Sequence, residues 1–201
     1  MFLNVKSIRE NAKKSLFTDI NGDEHKWSFA YIFVRIIIPI ISCAIVYVNK
    51  DKLMDDPKVI VMLLSLFSGL MFGVLIKIPD KFKDLEPKEN ESKQDETKRK
   101  QVKNYLKLFM YSLSYSILVA LISISFVILN SFFPMLITLD LSQYSLKLKL
   151  ENVDVSSSIL VPIVIIYRIL LINYLLNFLF FIFRAVTNLY EFMLYEFNKL
   201  K

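Results

Sequence analysis

The sequence predicts an all-α membrane protein: four transmembrane helices, N-in/C-in topology, a small external β-hairpin and cytoplasmic helical extensions. Three observations carry that expectation. Apolar residues make up 55% of the chain and gather in four long blocks. Charge is confined between the blocks and is shared unevenly by two sides. One stretch breaks the helical spacing with a period of two, the mark of a strand.

A helix crossing the ~30 Å hydrocarbon core of a bilayer needs about 20 apolar residues. Residues 29–48 are the first such run, entered through Trp27 and closed by Tyr47, as aromatic belts at the two interfaces would have it. Residues 59–78 are the second, interrupted only by Lys77. Residues 108–129 are the third, with several serines and no charge, and residues 159–183 the fourth, interrupted by Arg168. The mean hydropathy of the whole chain, +0.46, fits this plan.

Orientation follows the excess of basic residues that cytoplasmic loops retain. Eighteen Lys and Arg fall in residues 1–28, in the connection from Lys77 to Lys107 and in the tail after residue 183. Only Lys50, Lys52, Lys58, Lys147 and Lys149 fall on the other side. Both ends of the chain are therefore expected in the cytoplasm.

The segments outside the spans carry their own patterns. Residues 1–28 hold an amphipathic segment, with Phe2, Val5, Ile8, Ala12, Leu16 and Ile20 on one side of a helix and basic residues around them. Residues 79–107 form a charged arm. Pro79 and Pro87 should stop the second helix, after which the acid-to-base pairs Asp95→Arg99 and Glu96→Lys100 extend the third helix backwards. In residues 130–158, Ile137, Leu139 and Leu141 and then Tyr144, Leu146, Leu148 and Leu150 alternate with polar neighbours, which predicts an external strand pair. Residues 184–201 lack Gly and Pro and should prolong the fourth helix.

Several chemistries are excluded by count. With one histidine, His25, and one cysteine, Cys43, no His/Cys metal site and no internal disulfide can be built by one chain. Three glycines leave no phosphate-binding loop of the usual kind. No catalytic residues, cofactor or metal are expected, and the chain is not read as an enzyme. The net charge of +6 is read as lysine facing anionic membrane lipid, not as a direct nucleic-acid surface.

The candidate functional residues lie on two spans. Ser65, Gly69 and Gly73 recur every fourth position on the second, a groove that lets another helix approach within or between subunits. On the fourth, Asn173, Asn177, Arg184, Asn188, Glu191, Tyr195 and Asn198 fall on one stripe, while Arg168 sits on nearly the opposite face with no Asp or Glu in any span to neutralise it. Arg168, Asn173, Asn177 and Arg184 are thus candidates for a polar stripe or pore lining. Asn188, Tyr190, Glu191, Met193 and Phe197, beyond the span, are candidates for a partner surface.

Ser65-Leu-Phe-Ser-Gly-Leu-Met-Phe-Gly-Val-Leu75, a charged arm, and then Tyr105-Leu-Lys-Leu-Phe-Met-Tyr-Ser-Leu-Ser-Tyr-Ser-Ile-Leu-Val119 are similar to small four-span proteins of bacterial antiphage defence operons. The plan of the whole chain resembles the membrane subunit of Kiwa-type systems. That resemblance implies a homo-oligomer in the bacterial inner membrane, working with a cytosolic subunit that acts on DNA and sensing infection at the envelope. It transfers no catalytic residues. A second resemblance, to membrane effectors of retron-type and cyclic-nucleotide defence systems, implies a pore that permeabilises the inner membrane. The expected function is therefore a sensor and scaffold for a cytosolic protein, with a pore-forming effector as the alternative.

Overall fold

The computed structural model describes residues 5–18, 22–23, 28–54, 56–83, 85, 92–141 and 155–199, the side chains of 155–159, 195–196 and 198–199 excepted. The described residues form six helices: α1 (Val5–Phe17), α2 (Phe29–Val48), α3 (Pro57–Lys83), α4 (Lys93–Phe132), α5 (Met135–Thr138) and α6 (Val155–Lys199). No strand occurs among them. Four of the helices, α2, α3, α4 and α6, are long and apolar enough to cross a membrane, which marks a multi-pass membrane protein.

α1 keeps its amphipathic spacing. Ala12, Ser15 and Leu16 are buried, while Lys6, Arg9, Lys13 and Lys14 are exposed. Gly22 follows with φ of +91°, a left-handed conformation that favours glycine. The amide nitrogen of Asn104 would lie 3.3 Å from any Cβ there.

α2 contains a widened turn at Phe33–Ile37, where the Ile38 N–H donates to the Phe33 carbonyl five residues back. The cause is Pro39. It has no N–H to give, and its ring would collide with the carbonyl of residue 35 in a regular helix. A π-turn just before the proline relieves that collision.

α3 departs from expectation. Pro79 does not stop it, since the helix runs on to Lys83; Pro87 lies outside the described residues. A proline in a helix interior costs about 3 kcal/mol. Here the turns on either side of it are held by packing, because Ile78, Phe82 and Leu85 all join the core formed with Val102 and Leu106 of α4.

α4 begins on a cap. The Ser92 side chain accepts from the Asp95 N–H at 3.2 Å and donates to the Asp95 carboxylate at 2.6 Å. The predicted Glu96–Lys100 pair forms at 2.7 Å, and the Lys100 hydrogen bond holds the Glu96 carboxyl below its ordinary pKa. The charged run and the third span are one 40-residue helix.

α4 and α6 form the centre of the fold as a long antiparallel pair, with α3 packed on α4 and α2 packed on α6. Successive contacts fix the register. The Phe126 ring lies 5.5 Å from that of Tyr167 and 5.6 Å from that of Tyr174, and the Tyr115 ring lies 4.5 Å from that of Phe181. Further along, Val102, Leu106 and Phe109 share one core with Ala185, Leu189 and Phe192. The charged arm thus packs against the part of α6 that lies past the fourth apolar run. At 1.5 Å per residue, the 45 residues of α6 extend about 68 Å, more than twice a bilayer core.

The strand expected to start at Ile137 is instead a short helix there. Pro134 opens α5, accepting from the Ile137 and Thr138 N–H groups at 3.2 Å and from the Thr138 hydroxyl at 3.0 Å. Proline presets the backbone for a first helical turn, and that local bonding overrides the period-two pattern. Leu139 is extended, and Leu141 then donates to the Lys50 carbonyl at 2.9 Å. The remainder of the expected hairpin, residues 142–154, lies outside the described residues.

Candidate functional site

Arg168 is 0% exposed and is the largest fully buried side chain. An arginine carries five N–H donors in a rigid fork and cannot be neutralised readily, so its burial demands acceptors on all sides. No carboxylate lies within the spans; Asp140, just past Leu139, acts on the guanidinium electrostatically, and the fold supplies carbonyls as hydrogen-bond acceptors. Nε donates to Leu136 at 3.1 Å, Nη1 to Lys50 at 3.2 Å, and Nη2 to Ile137 at 2.7 Å and Leu139 at 2.5 Å. Three of these acceptors belong to α5 or its C-terminal flank, where the helix leaves unpaired carbonyls and a partial negative charge. The fourth belongs to the α2–α3 connection. One side chain of α6 therefore ties two separate loops over the end of the bundle. Leu53 adds a backbone hydrogen bond to the Ile137 carbonyl at 3.4 Å. Beside it, the Tyr167 hydroxyl donates to the Phe126 carbonyl at 2.5 Å and anchors α6 to α4.

Sixteen residues further along the same helix, about 24 Å away, Arg184 makes a second tie. Its Nη2 donates to the Ser15 carbonyl near the C-terminus of α1. The Ser15 hydroxyl donates to the Ala12 carbonyl at 2.7 Å, so this turn of α1 is closed on itself. Around the tie, Ala12 and Leu16 pack with Phe181, and the Phe17 ring lies 4.5 Å from that of Tyr31 in α2. The Nε of Arg184 is buried and makes no hydrogen bond to the described residues.

Between the two arginines, the Asn177 amide donates to the Asn173 carbonyl at 2.8 Å and to its side-chain oxygen at 2.9 Å. Asn177 is buried within the chain. The Asn177 amide nitrogen is thus satisfied on one face of α6, while its Oδ1 is buried with no hydrogen-bond partner among the described residues. Asn188 continues the stripe, half-buried. Glu191 stands near Tyr105 of α4, and burial first, then this carboxylate, raises the phenol above its ordinary pKa.

The remaining predicted residues face away from the core. Val186, Tyr190, Met193 and Phe197 recur along one face of α6 and expose between 47% and 62% of their surface. The partner-surface candidates therefore divide, with Asn188 and Glu191 turned inward and Tyr190, Met193 and Phe197 outward. On α3, Ser65, Gly69 and Gly73 are exposed, and a Cβ at either glycine would meet nothing within 4 Å. The groove is not filled by the described part of its own chain. By contrast, the serines of α4 serve packing: Ser112, Ser116 and Ser123 are fully buried, and the Ser116 hydroxyl reaches the Leu113 carbonyl at 2.8 Å and the Met71 sulfur at 3.5 Å.

Sequence reasoning missed the far side of both ties. An intramembrane arginine announces itself, but a backbone carbonyl carries no residue signature, so Leu136, Leu139, Lys50 and Ser15 could not be singled out. Tyr167 could have been, as a polar tip next to an intramembrane charge. No protein-family model, curated protein or solved structure matches this chain.

Proposed function

We propose that the chain is a sensor and scaffold of the bacterial inner membrane that relays an external perturbation to a cytosolic protein. The observation that carries this reading is α6. One uninterrupted helix holds the Lys50–Leu53 and Met135–Leu141 segments through Arg168 at one end. At its other end it displays the apolar face of Val186, Tyr190, Met193 and Phe197. A free helical tail has no use for such a face, whereas a partner that docks on amphipathic helices does. The positive-inside bias puts the loops outside and the apolar face in the cytoplasm. The open Ser65/Gly69/Gly73 groove supports assembly of several copies. The resemblance to Kiwa-type membrane subunits supplies the setting: antiphage defence with a DNA-acting cytosolic subunit.

The pore reading has less support. Part of its polar stripe is occupied within one chain, Arg168 by four carbonyls and the Asn177 amide nitrogen by Asn173.

The test is truncation after Arg184 in cells carrying the neighbouring genes. The truncated chain should insert normally, lose its co-purifying cytosolic protein and lose protection against phage. Retention of that protein by the truncated chain would refute the scaffold reading.

A further inference from the structure

Towards its C-terminal end α3 packs on α4, and a cleft of about 140 Å³ remains between α3, α4 and α6. Val74 and Ile78 form one wall and Leu189 and Phe192 the other, over a floor of Leu106 and Phe109. Every wall and floor residue is apolar. Two further residues on the α3 side are Lys77 and Lys81, one turn apart on the same face and both exposed. An apolar slot bordered by ammonium groups at the end of a transmembrane helix is complementary to one kind of molecule. Its hydrocarbon fills the slot while its phosphate meets the lysines.

We propose that this cleft binds an anionic phospholipid of the cytoplasmic leaflet, with acyl chain against Phe109 and Phe192 and phosphate between Lys77 and Lys81. An apolar cavity of ~150 Å³ in a protein interior takes a molecule the size of benzene, so the cleft admits a segment of one acyl chain. A second copy of this chain is a poor occupant, because it would bring the same cationic rim and a net charge of +6 to the site. A soluble protein is a poor one too, since Lys77 interrupts an apolar transmembrane run and Val74 lies a turn deeper.

Only the choice of leaflet rests on the proposed orientation. The binding itself can be tested on the full-length chain in neutral maltoside detergent. Dioleoyl phosphatidylglycerol and dioleoyl phosphatidylcholine are titrated separately, with bound lipid counted by native mass spectrometry. Phosphatidylglycerol should bind preferentially. Lys77→Gln and Lys81→Gln should each weaken it about fivefold, and together about twenty-five-fold, from the attraction of one ammonium for an anionic lipid surface. Val74→Trp, at a partly exposed position, should weaken both lipids by filling the slot. Lys103→Gln, an exposed lysine of α4 outside the cleft, should change nothing. Equal binding of the two lipids would overturn the proposal, as would full binding by the double lysine variant or an equal loss in Lys103→Gln. The lysine variants keep α6 intact, so their outcome is separate from truncation after Arg184, which removes Leu189 and Phe192 along with the partner face.

Discussion

Arg168 and Arg184 sit on one helix, and their surroundings differ. Around Arg168 the chain has folded four carbonyls from two loops into a closed shell. Around Arg184 the described residues supply one carbonyl, that of Ser15, and leave a buried Nε without a bond. A buried charge with four of its five donors engaged is a structural lock, since any movement breaks several charged hydrogen bonds together. A charge held by one bond to a short amphipathic helix can let go at much smaller cost. Among the described residues, the same residue type thus ties one end of α6 with four bonds and the other with one, an asymmetry that the proposed relay would use.

The largest effect should come from Arg168. Replacing it with Leu leaves the carbonyls of Lys50, Leu136, Ile137 and Leu139 without their shared donor. A buried acceptor left unsatisfied costs about 1–3 kcal/mol, and several are affected together. Arg168→Lys keeps the charge but offers three donors without the planar fork, so it should fall between the two. Thermal unfolding in detergent checks the order, wild type above Lys above Leu. Proteolysis should show residues 50–53 and 135–141 opening first. If Leu were as stable as Arg, the carbonyl shell would be incidental and the contrast between the two ends would disappear.

A smaller effect should come from Arg184→Leu, about 1.5–3 kcal/mol for one hydrogen bond to a charged group. Hydrogen exchange should rise in Val5–Phe17 and stay unchanged in Met135–Thr138. Residues more than 7–10 Å apart ordinarily have additive effects to within ~0.5 kcal/mol, and these two lie about 24 Å apart. The relay reading expects the double variant to exceed that margin. Additive energies would mean that α6 joins the two ends without transmitting between them.

How much of this was legible in the sequence follows physical lines. The four apolar spans were legible, because twenty apolar residues in a row leave the backbone few options. Arg168 was legible as a problem but not as a solution, since its partners are main-chain atoms brought from residues 50 and 136–139. The failures occurred at prolines. Pro79 was read as a stop, yet Ile78 and Phe82 pack well enough to carry α3 through it. Pro134 was not weighed, and it turned the first part of an expected strand into α5. In both cases a local rule met a contact or a bond that one sequence does not display.

The smallest effect on the fold should come from the face that touches neither arginine. Gly69 lies on α3 with open space where a Cβ would stand. Gly69→Leu therefore introduces no clash with the described chain, and leucine favours the helix by up to about 1 kcal/mol over glycine. The isolated chain should be as stable as before, or slightly more so, with both arginine ties unchanged by the proteolysis and exchange measurements above. The consequence should appear only between copies. Four extra carbon atoms in the Ser65/Gly69/Gly73 groove would hold a neighbouring helix away from close backbone approach. Native mass in mild detergent should fall to that of smaller assemblies, while Leu70→Ala, an exposed change beside the groove, leaves it as it was. An unchanged mass for Gly69→Leu and Gly73→Leu would remove the groove from the subunit interface, and the apolar face of α6 would become the place to look for contacts between copies.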